Sequence, residues 1–245
     1  MLKHAILLCV LNSAPGLAQD SRIFEINKHG WYVYSGDHPI AGRWGFHFDG
    51  QWRRSEIVTQ WQQLLLRPGV NYSLSPQVRL TFGYAFVRTY PYGEFPAPAA
   101  YPENRIFEQV QLSPSYKRIR LSHRFRLEQR WVAYPQNPDG EYTYQNRFRY
   151  QVKVDFPFHR GGRQTRWYLA MFDEIFFGIP PNIGARSFDQ NRFFLGLGRS
   201  LGQTAAIEFG YFNQFLAERN GRIFEVNNTL YISLSSTYPL SRLWK

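Results

Sequence analysis

Most of this chain changes character residue by residue, apolar then polar, over runs longer than ten positions. Val78, Leu80, Phe82, Tyr84 and Phe86 alternate with Arg79, Thr81, Gly83 and Ala85. Trp44, Phe46, Phe48 and Trp52 alternate with Arg43, His47, Asp49, Gln51 and Arg53. Ile119, Leu121, Phe125, Leu127 and Trp131 stand opposite Arg120, Ser122, Arg124, Arg126, Glu128 and Arg130. From Tyr142 to Phe158 an apolar set including Phe148, Tyr150, Val152 and Val154 backs onto Arg147, Arg149, Lys153 and Asp155. A period of two belongs to strands, whose successive side chains leave opposite faces. Soluble sandwiches alternate too, but their strands usually run about 5–6 residues. Strands that cross a bilayer need about 9–11 residues at a tilt, an apolar outer face, a polar interior and aromatic belts at both interfaces. Trp44, Trp52, Tyr90, Trp131 and Tyr142 stand near strand ends, where such belts would lie.

The connections point the same way. Short turns fall near Ile40–Gly42, Ser73–Pro76, Lys117–Arg118, His159–Gln164 and Leu201–Gln203. Longer loops rich in Pro, Gly and Asn fall at Pro91–Glu103, Ala133–Glu141, Gly178–Phe188 and Ala217–Arg222. From Ser73 onward the two kinds alternate, as short periplasmic turns and long extracellular loops do in outer-membrane barrels. The expected fold is therefore all-β, an antiparallel transmembrane β-barrel. Eleven strands are clear from Gly30 to the C-terminus, and a weak alternation over Arg22–Asn27 supplies a further one. Twelve strands are expected, with ten as the alternative, because an even number returns both ends to the periplasm. Pro68 and Pro114 fall within strands and should mark bulges or kinks, since proline donates nothing to a ladder. The Pro91–Glu103 loop is expected to be plainly exposed, with binding of something outside the cell as the alternative.

An outer-membrane barrel must be exported, and the first residues supply a signal. Lys3 and His4 precede an apolar run from Ala5 to Leu11, and Gly16, Leu17 and Ala18 offer small residues for cleavage. A cleaved signal peptide over residues 1–18 is expected, followed by one barrel domain over 19–245. Cleavage would remove Cys9, the single cysteine, so the mature chain would form no disulfide. It would also leave 28 basic residues, one fewer than the whole chain, against 18 acidic ones. Such a balance in a soluble protein suggests nucleic acid as partner. Here the arginines are spread singly at alternate positions rather than gathered in a patch, so no nucleic-acid partner is expected; a soluble basic β protein is the weaker alternative. The expected partners are outer-membrane lipid and the barrel-assembly machinery. Oligomeric state is not legible.

Five segments carry a family resemblance: Trp61–Gly69 (WQQLLLRPG), His123–Arg130 (HRFRLEQR), Asp173–Phe176 (DEIF), Phe188–Arg192 (FDQNR) and Glu208–Gln214 (EFGYFNQ). In this order and spacing, from about Trp31 to Tyr238, the chain resembles the outer-membrane barrels grouped as domain of unknown function 2490. The resemblance implies a Gram-negative outer-membrane barrel with no assigned activity. Many barrels end on an aromatic residue of the last strand, whereas this chain continues through Pro239 to Trp244 and Lys245.

The polar face identifies the residues expected to line the lumen. They are Arg43, His47, Asp49 and Arg53, then Arg67 and Arg79, then Arg124, Arg126, Glu128 and Arg130. Arg147, Arg149, Lys153, Asp155, Arg192 and Glu208 complete the set. Opposite charges on neighbouring strands can pair and fill a narrow interior. Alternatively, the arginine excess leaves a positive lumen that favours anions. No catalytic group is expected, and a lipid-modifying hydrolase is the alternative. Ser122 and His123 are adjacent and so face opposite sides; Asp173 and Glu174 split likewise; Ser35 and His38 lack a third member. His47 and Asp49 share a face but fall short of the three ligands a metal site needs. Neither metal nor cofactor is expected.

Overall fold

The computed structural model describes residues 22–160 and 163–244. The leader expected at 1–18 lies outside the described residues. Eleven strands follow in order: β1 (Ile23–Ala41), β2 (Trp44–Ser55), β3 (Gln60–Ser75), β4 (Val78–Thr89), β5 (Tyr101–Leu112) and β6 (Arg120–Val132). After them come β7 (Thr143–Arg160), β8 (Arg163–Ile179), β9 (Phe188–Ser200), β10 (Ala205–Ala217) and β11 (Ile223–Ser236). Each pairs antiparallel with its chain neighbour, and β1 closes the barrel against β11 in parallel. Connections 56–59, 90–100, 133–142, 180–187 and 218–222 leave one end, here the loop rim; the remaining connections leave the turn rim.

The closure corrects the expected strand number. Arg22–Asn27 is not a separate strand, because no turn intervenes before Gly30; all but Arg22 form the first stretch of the 19-residue β1. The barrel thus holds eleven strands rather than twelve or ten. An odd count forces one parallel seam, which runs from Ile23 beside Ile223 to Gly36 beside Ser236. The two ends of the barrel chain therefore lie at opposite rims, with Ile23 at the loop rim and Ser236 at the turn rim.

The prolines also differ from expectation. Pro68 sits opposite Phe48 within β3, and the β3–β4 register is the same on either side of it, so it makes no bulge. Pro114 lies outside the strands, in the β5–β6 turn. The irregularities fall instead near strand ends, between Pro39 and Ala41, Arg53 and Arg54, Ser73 and Ser75, Pro157 and His159, and Phe176 and Phe177. There a local shift re-aims the chain without breaking the central ladder.

Alternation becomes two surfaces. Outward residues include Phe82, Tyr84, Leu127, Leu195, Phe209 and Leu230, all exposed. Near the loop rim an outer aromatic chain joins Tyr32 to Trp52 (5.2 Å), Trp52 to Trp61 (6.2 Å) and Trp61 to Tyr90 (5.2 Å). At the turn rim Trp44 meets Tyr72 at 4.8 Å. Inside, β8–β10 and β1 bury Phe172, Phe194, Phe212 and Trp31 as an aromatic cluster. Room for large inward rings comes from facing glycines: a Cβ at Gly198 would clash with the ring of Tyr168.

Candidate functional site

Where β2–β7 bury charge, the side chains meet across the barrel. Glu128 of β6 is fully buried, at 0% exposure. Its Oε2 accepts hydrogen bonds from Arg147 Nη2 (2.6 Å) and Nε (2.9 Å), and its Oε1 accepts one from Arg149 Nη1 (2.7 Å). Arg67 and Arg105 approach the same carboxylate at 3.8 Å. β3 is not a neighbour of β6, so the Arg67 contact spans the lumen. Arg67 also holds Asp49 of β2 at 2.6 Å, and Arg149 holds Glu174 of β8 at 2.8 Å. Arg124 reaches that glutamate at 2.9 Å. A relay of alternating charge, Asp49–Arg67–Glu128–Arg149–Glu174, thus crosses the interior from β2 to β8. Charge-assisted pairs of this kind are the arrangement in which buried ions are tolerated.

Aromatic rings complete the cross-section. Phe176 carries the guanidinium of Arg149 at 4.4 Å and that of Arg192 at 4.5 Å. Phe107 carries Arg126 at 4.9 Å, and Trp31 carries Arg53 at 3.8 Å. Such faces attract a cation through their quadrupole.

Toward the loop rim, Glu103 pairs with Arg105 (2.6 Å) and Arg130 (2.5 Å), and Arg147 with Asp189 (2.8 Å). Toward the turn rim, Asp37 pairs with His47 and Arg79, both at 2.8 Å. Lys153 pairs with Glu208 at 2.5 Å, and Arg120 with Asp155 at 3.2 Å. Beneath the relay is a cavity of about 280 Å³ lined by Asp37, Asp49, Arg124, Lys153, Glu174 and Glu208, among others.

The lumen set divides as follows. His47, Asp49, Arg53, Arg67, Arg126, Glu128, Arg147, Arg149, Arg192 and Glu208 are buried. Arg79, Arg124, Arg130, Lys153 and Asp155 are partly buried members of the pairs above. Arg43 is a correction: β2 begins only at Trp44, so Arg43 falls in the β1–β2 turn and is exposed. Sequence reasoning did not select Asp37, Glu103, Glu174 or Asp189, which supply much of the compensating negative charge, nor Arg105, a further cation paired with Glu103.

The Pro-rich loop is exposed at Pro91, Gly93, Glu94, Phe95, Pro96, Pro98 and Ala99, as expected, but two contacts tie it to the barrel. Tyr92 donates a hydrogen bond to Glu225 Oε2 on β11 at 2.9 Å, and the Glu94 N–H reaches Glu25 on β1 at 2.5 Å. The loop leaving β4 therefore bends over the mouth toward the parallel seam. Tyr92 covers the buried His29 ring edge-on at 5.3 Å. In the adjacent β10–β11 connection, burial and the neighbouring Glu225 carboxylate push the Glu218 carboxyl up to about 8.

Among the described residues, the Ser–His pairs weighed from the sequence are not brought together. His123 faces outward onto the Tyr150 hydroxyl (2.8 Å), away from Ser122. Both ring nitrogens of His38 are engaged, by Tyr34 and the Tyr238 carbonyl, each at 2.9 Å. Among the described residues no three His, Cys, Asp or Glu side chains are arranged to hold a metal ion.

Residues 28–225 match the family model described as "Protein of unknown function (DUF2490)". An uncharacterized protein of Methylorubrum extorquens is 26% identical over 183 residues, covering 74% of this chain and 75% of its own length. Among solved structures, the NanC porin matches at a TM-score of 0.45 and 12% identity, over 79% of this chain and 90% of its own.

Proposed function

This chain belongs to the DUF2490 family of proteins of unknown function, and we propose that it is an exported outer-membrane barrel that acts without catalysis. Its task would be structural or binding, with the lumen closed by its own ion pairs. The leader at 1–18 would be cleaved, the short turns would face the periplasm and the longer loops the outside. The largely apolar outer wall, with exposed Phe82, Leu127, Leu195, Phe209 and Leu230, and its Tyr32–Trp52–Trp61–Tyr90 and Trp44–Tyr72 aromatics support membrane residence. The assembly machinery and outer-membrane lipid would be its partners.

The observation that carries the closed lumen is the Glu128 relay. A carboxylate with four guanidinium groups within 3.8 Å, two of them on strands not paired with each other, occupies the middle of the interior. Water and ions passing through would have to break these pairs, and an ion left without its partner in a low-dielectric space is costly. Reconstitution into planar bilayers tests this. The purified chain should leave the bilayer without conductance steps in dilute and concentrated salt. Steady steps that favour anions would instead identify a narrow arginine-lined pore and overturn the closed barrel.

A further inference from the structure

Between the Glu128 relay and the loop rim lies a second cavity, of about 140 Å³. Arg67 and Arg149 of the relay form its floor, and Tyr92 and Tyr101 stand on its loop side. Two further guanidinium groups line it, Arg53 of β2 and Arg192 of β9, both buried, at 5% and 8% exposure. Neither belongs to an ion pair among the described residues. Arg53 donates from Nε and Nη2 to Gln51 Oε1 (2.9 and 2.5 Å) and from Nη1 to Gln63 Oε1 (2.6 Å). Arg192 donates from Nε to Gln190 Oε1 at 3.0 Å, and its Nη1 and Nη2 hold no hydrogen bond among the described residues. The Trp31 ring lies against both groups, at 3.8 Å from Arg53 and 5.1 Å from Arg192. Amides and an indole face orient a cation but bring no negative charge. The nearby carboxyls are committed elsewhere. Asp49 and Glu174 act on Arg53 and Arg192 only from a distance and are held by Arg67 and Arg149. Glu103 pairs with Arg105 and Arg130, and Asp189 with Arg147. Glu218, its carboxyl pushed up to about 8, is largely uncharged at neutral pH.

A buried cation without an anion is costly, and two beside one ring also repel each other. We infer that this cavity is a binding site for a small oxyanion of the phosphate or sulfate class, held between Arg53 and Arg192. The inference names a ligand for the binding role proposed above and rests on the relay closing the lumen beneath the cavity. A guanidinium fork offers paired N–H groups that match two oxygens of one anion, which a single-atom halide cannot supply. Arg192 has both Nη nitrogens to give, and Arg53 keeps one N–H on each Nη beyond those its glutamines use. A neighbouring hollow of about 140 Å³ shares Tyr101, Arg130, Arg147 and Glu218 with the cavity and reaches Arg186 and Arg219, exposed on the loops. An anion arriving from the loop rim would meet these arginines before the buried pair, and such charge draws it inward.

Calorimetric titration of the purified chain in mild detergent with inorganic phosphate tests the site. The parent should bind one phosphate per barrel, sulfate should compete, and chloride at the same concentration should not. Arg53→Gln and Arg192→Gln should each weaken binding at least tenfold while keeping the heat-modifiable gel mobility of a folded barrel. Arg43→Gln, in the exposed turn at the other rim, should bind as the parent does. No saturable binding by the parent, equal displacement by chloride, or undiminished binding in both glutamine variants would overturn the proposal. A second measurement needs no variant. Millimolar phosphate at matched ionic strength should raise the urea midpoint of the parent above its value in chloride, and the rise should level off as the site fills. Equal midpoints in the two salts would end the site. Planar bilayers separate it from the closed lumen. Phosphate binding by a barrel that conducts ends the closed lumen and leaves the site; a barrel that neither conducts nor binds phosphate ends the site alone.

Discussion

Glu128 is the residue on which the interior charge converges, and substituting it would expose the imbalance around it. Glu128→Gln keeps the shape but leaves Arg147 and Arg149 without their shared carboxylate, with Arg67 and Arg105 close by. Removing one member of a buried charge network costs about 3–5 kcal/mol. The variant should unfold at distinctly lower urea concentration, read as loss of the heat-modifiable band, whereas Arg43→Gln in the exposed turn should change little. The same residues show what alternation can reveal. Arg126, Glu128, Arg147 and Arg149 share one face of β6 and β7 because those strands are apolar on the other face only. Glu174 was hidden because β8 is apolar on both faces, with Phe172 and Phe176 inside and Met171 and Ile175 outside. Glu103 was hidden because it follows a Pro-rich loop, two residues after β5 begins.

At the scale of elements, the loops over the mouth are tied to strands by carboxylates, and one of these makes them sensitive to pH. Glu218 follows β10, and burial beside Glu225 pushes its carboxyl up to about 8 from an ordinary value of 4.5. Asp189 adds to this repulsion, while a backbone hydrogen bond from Arg219 opposes it. The docked segment therefore binds a proton more tightly than the undocked one, so docking loses strength as pH rises from about 4.5 to about 8. Glu225 also anchors Tyr92, so a new charge at Glu218 strains the attachment of the Pro-rich loop. Protease nicking of segments 90–100 and 218–222 should increase as pH rises through this window, and Glu218→Gln should remove most of the increase. Equal nicking at both ends of the window would count against it. The positions of these loops were legible from their Pro, Gly and Asn content. Their inward fold was not, because it depends on contacts with strands distant in sequence, Glu25 and Glu225.

For the whole molecule, barrel closure was legible in the period and length of the strands, and strand parity was not. Ile23–Ala41 is one uninterrupted strand, and only pairing with β11 decides where its first residues belong. That pairing places Ile23 and Ser236 at opposite rims. With the membrane orientation proposed above, a tag joined just before Ile23 should be reached by antibody on intact cells. One placed after Lys245 should be reached only once the outer membrane is permeabilised. Equal access at both ends would require a different closure. The parallel seam also limits how the chain can be rewired. In an even-stranded barrel, the old termini can be joined by a tight turn and new ones opened at another hairpin. Here such a circular permutant needs a crossover, as parallel neighbours always do, of about a dozen residues or more. It would have to travel the full height of the wall, through a lumen already filled or along a face turned to lipid.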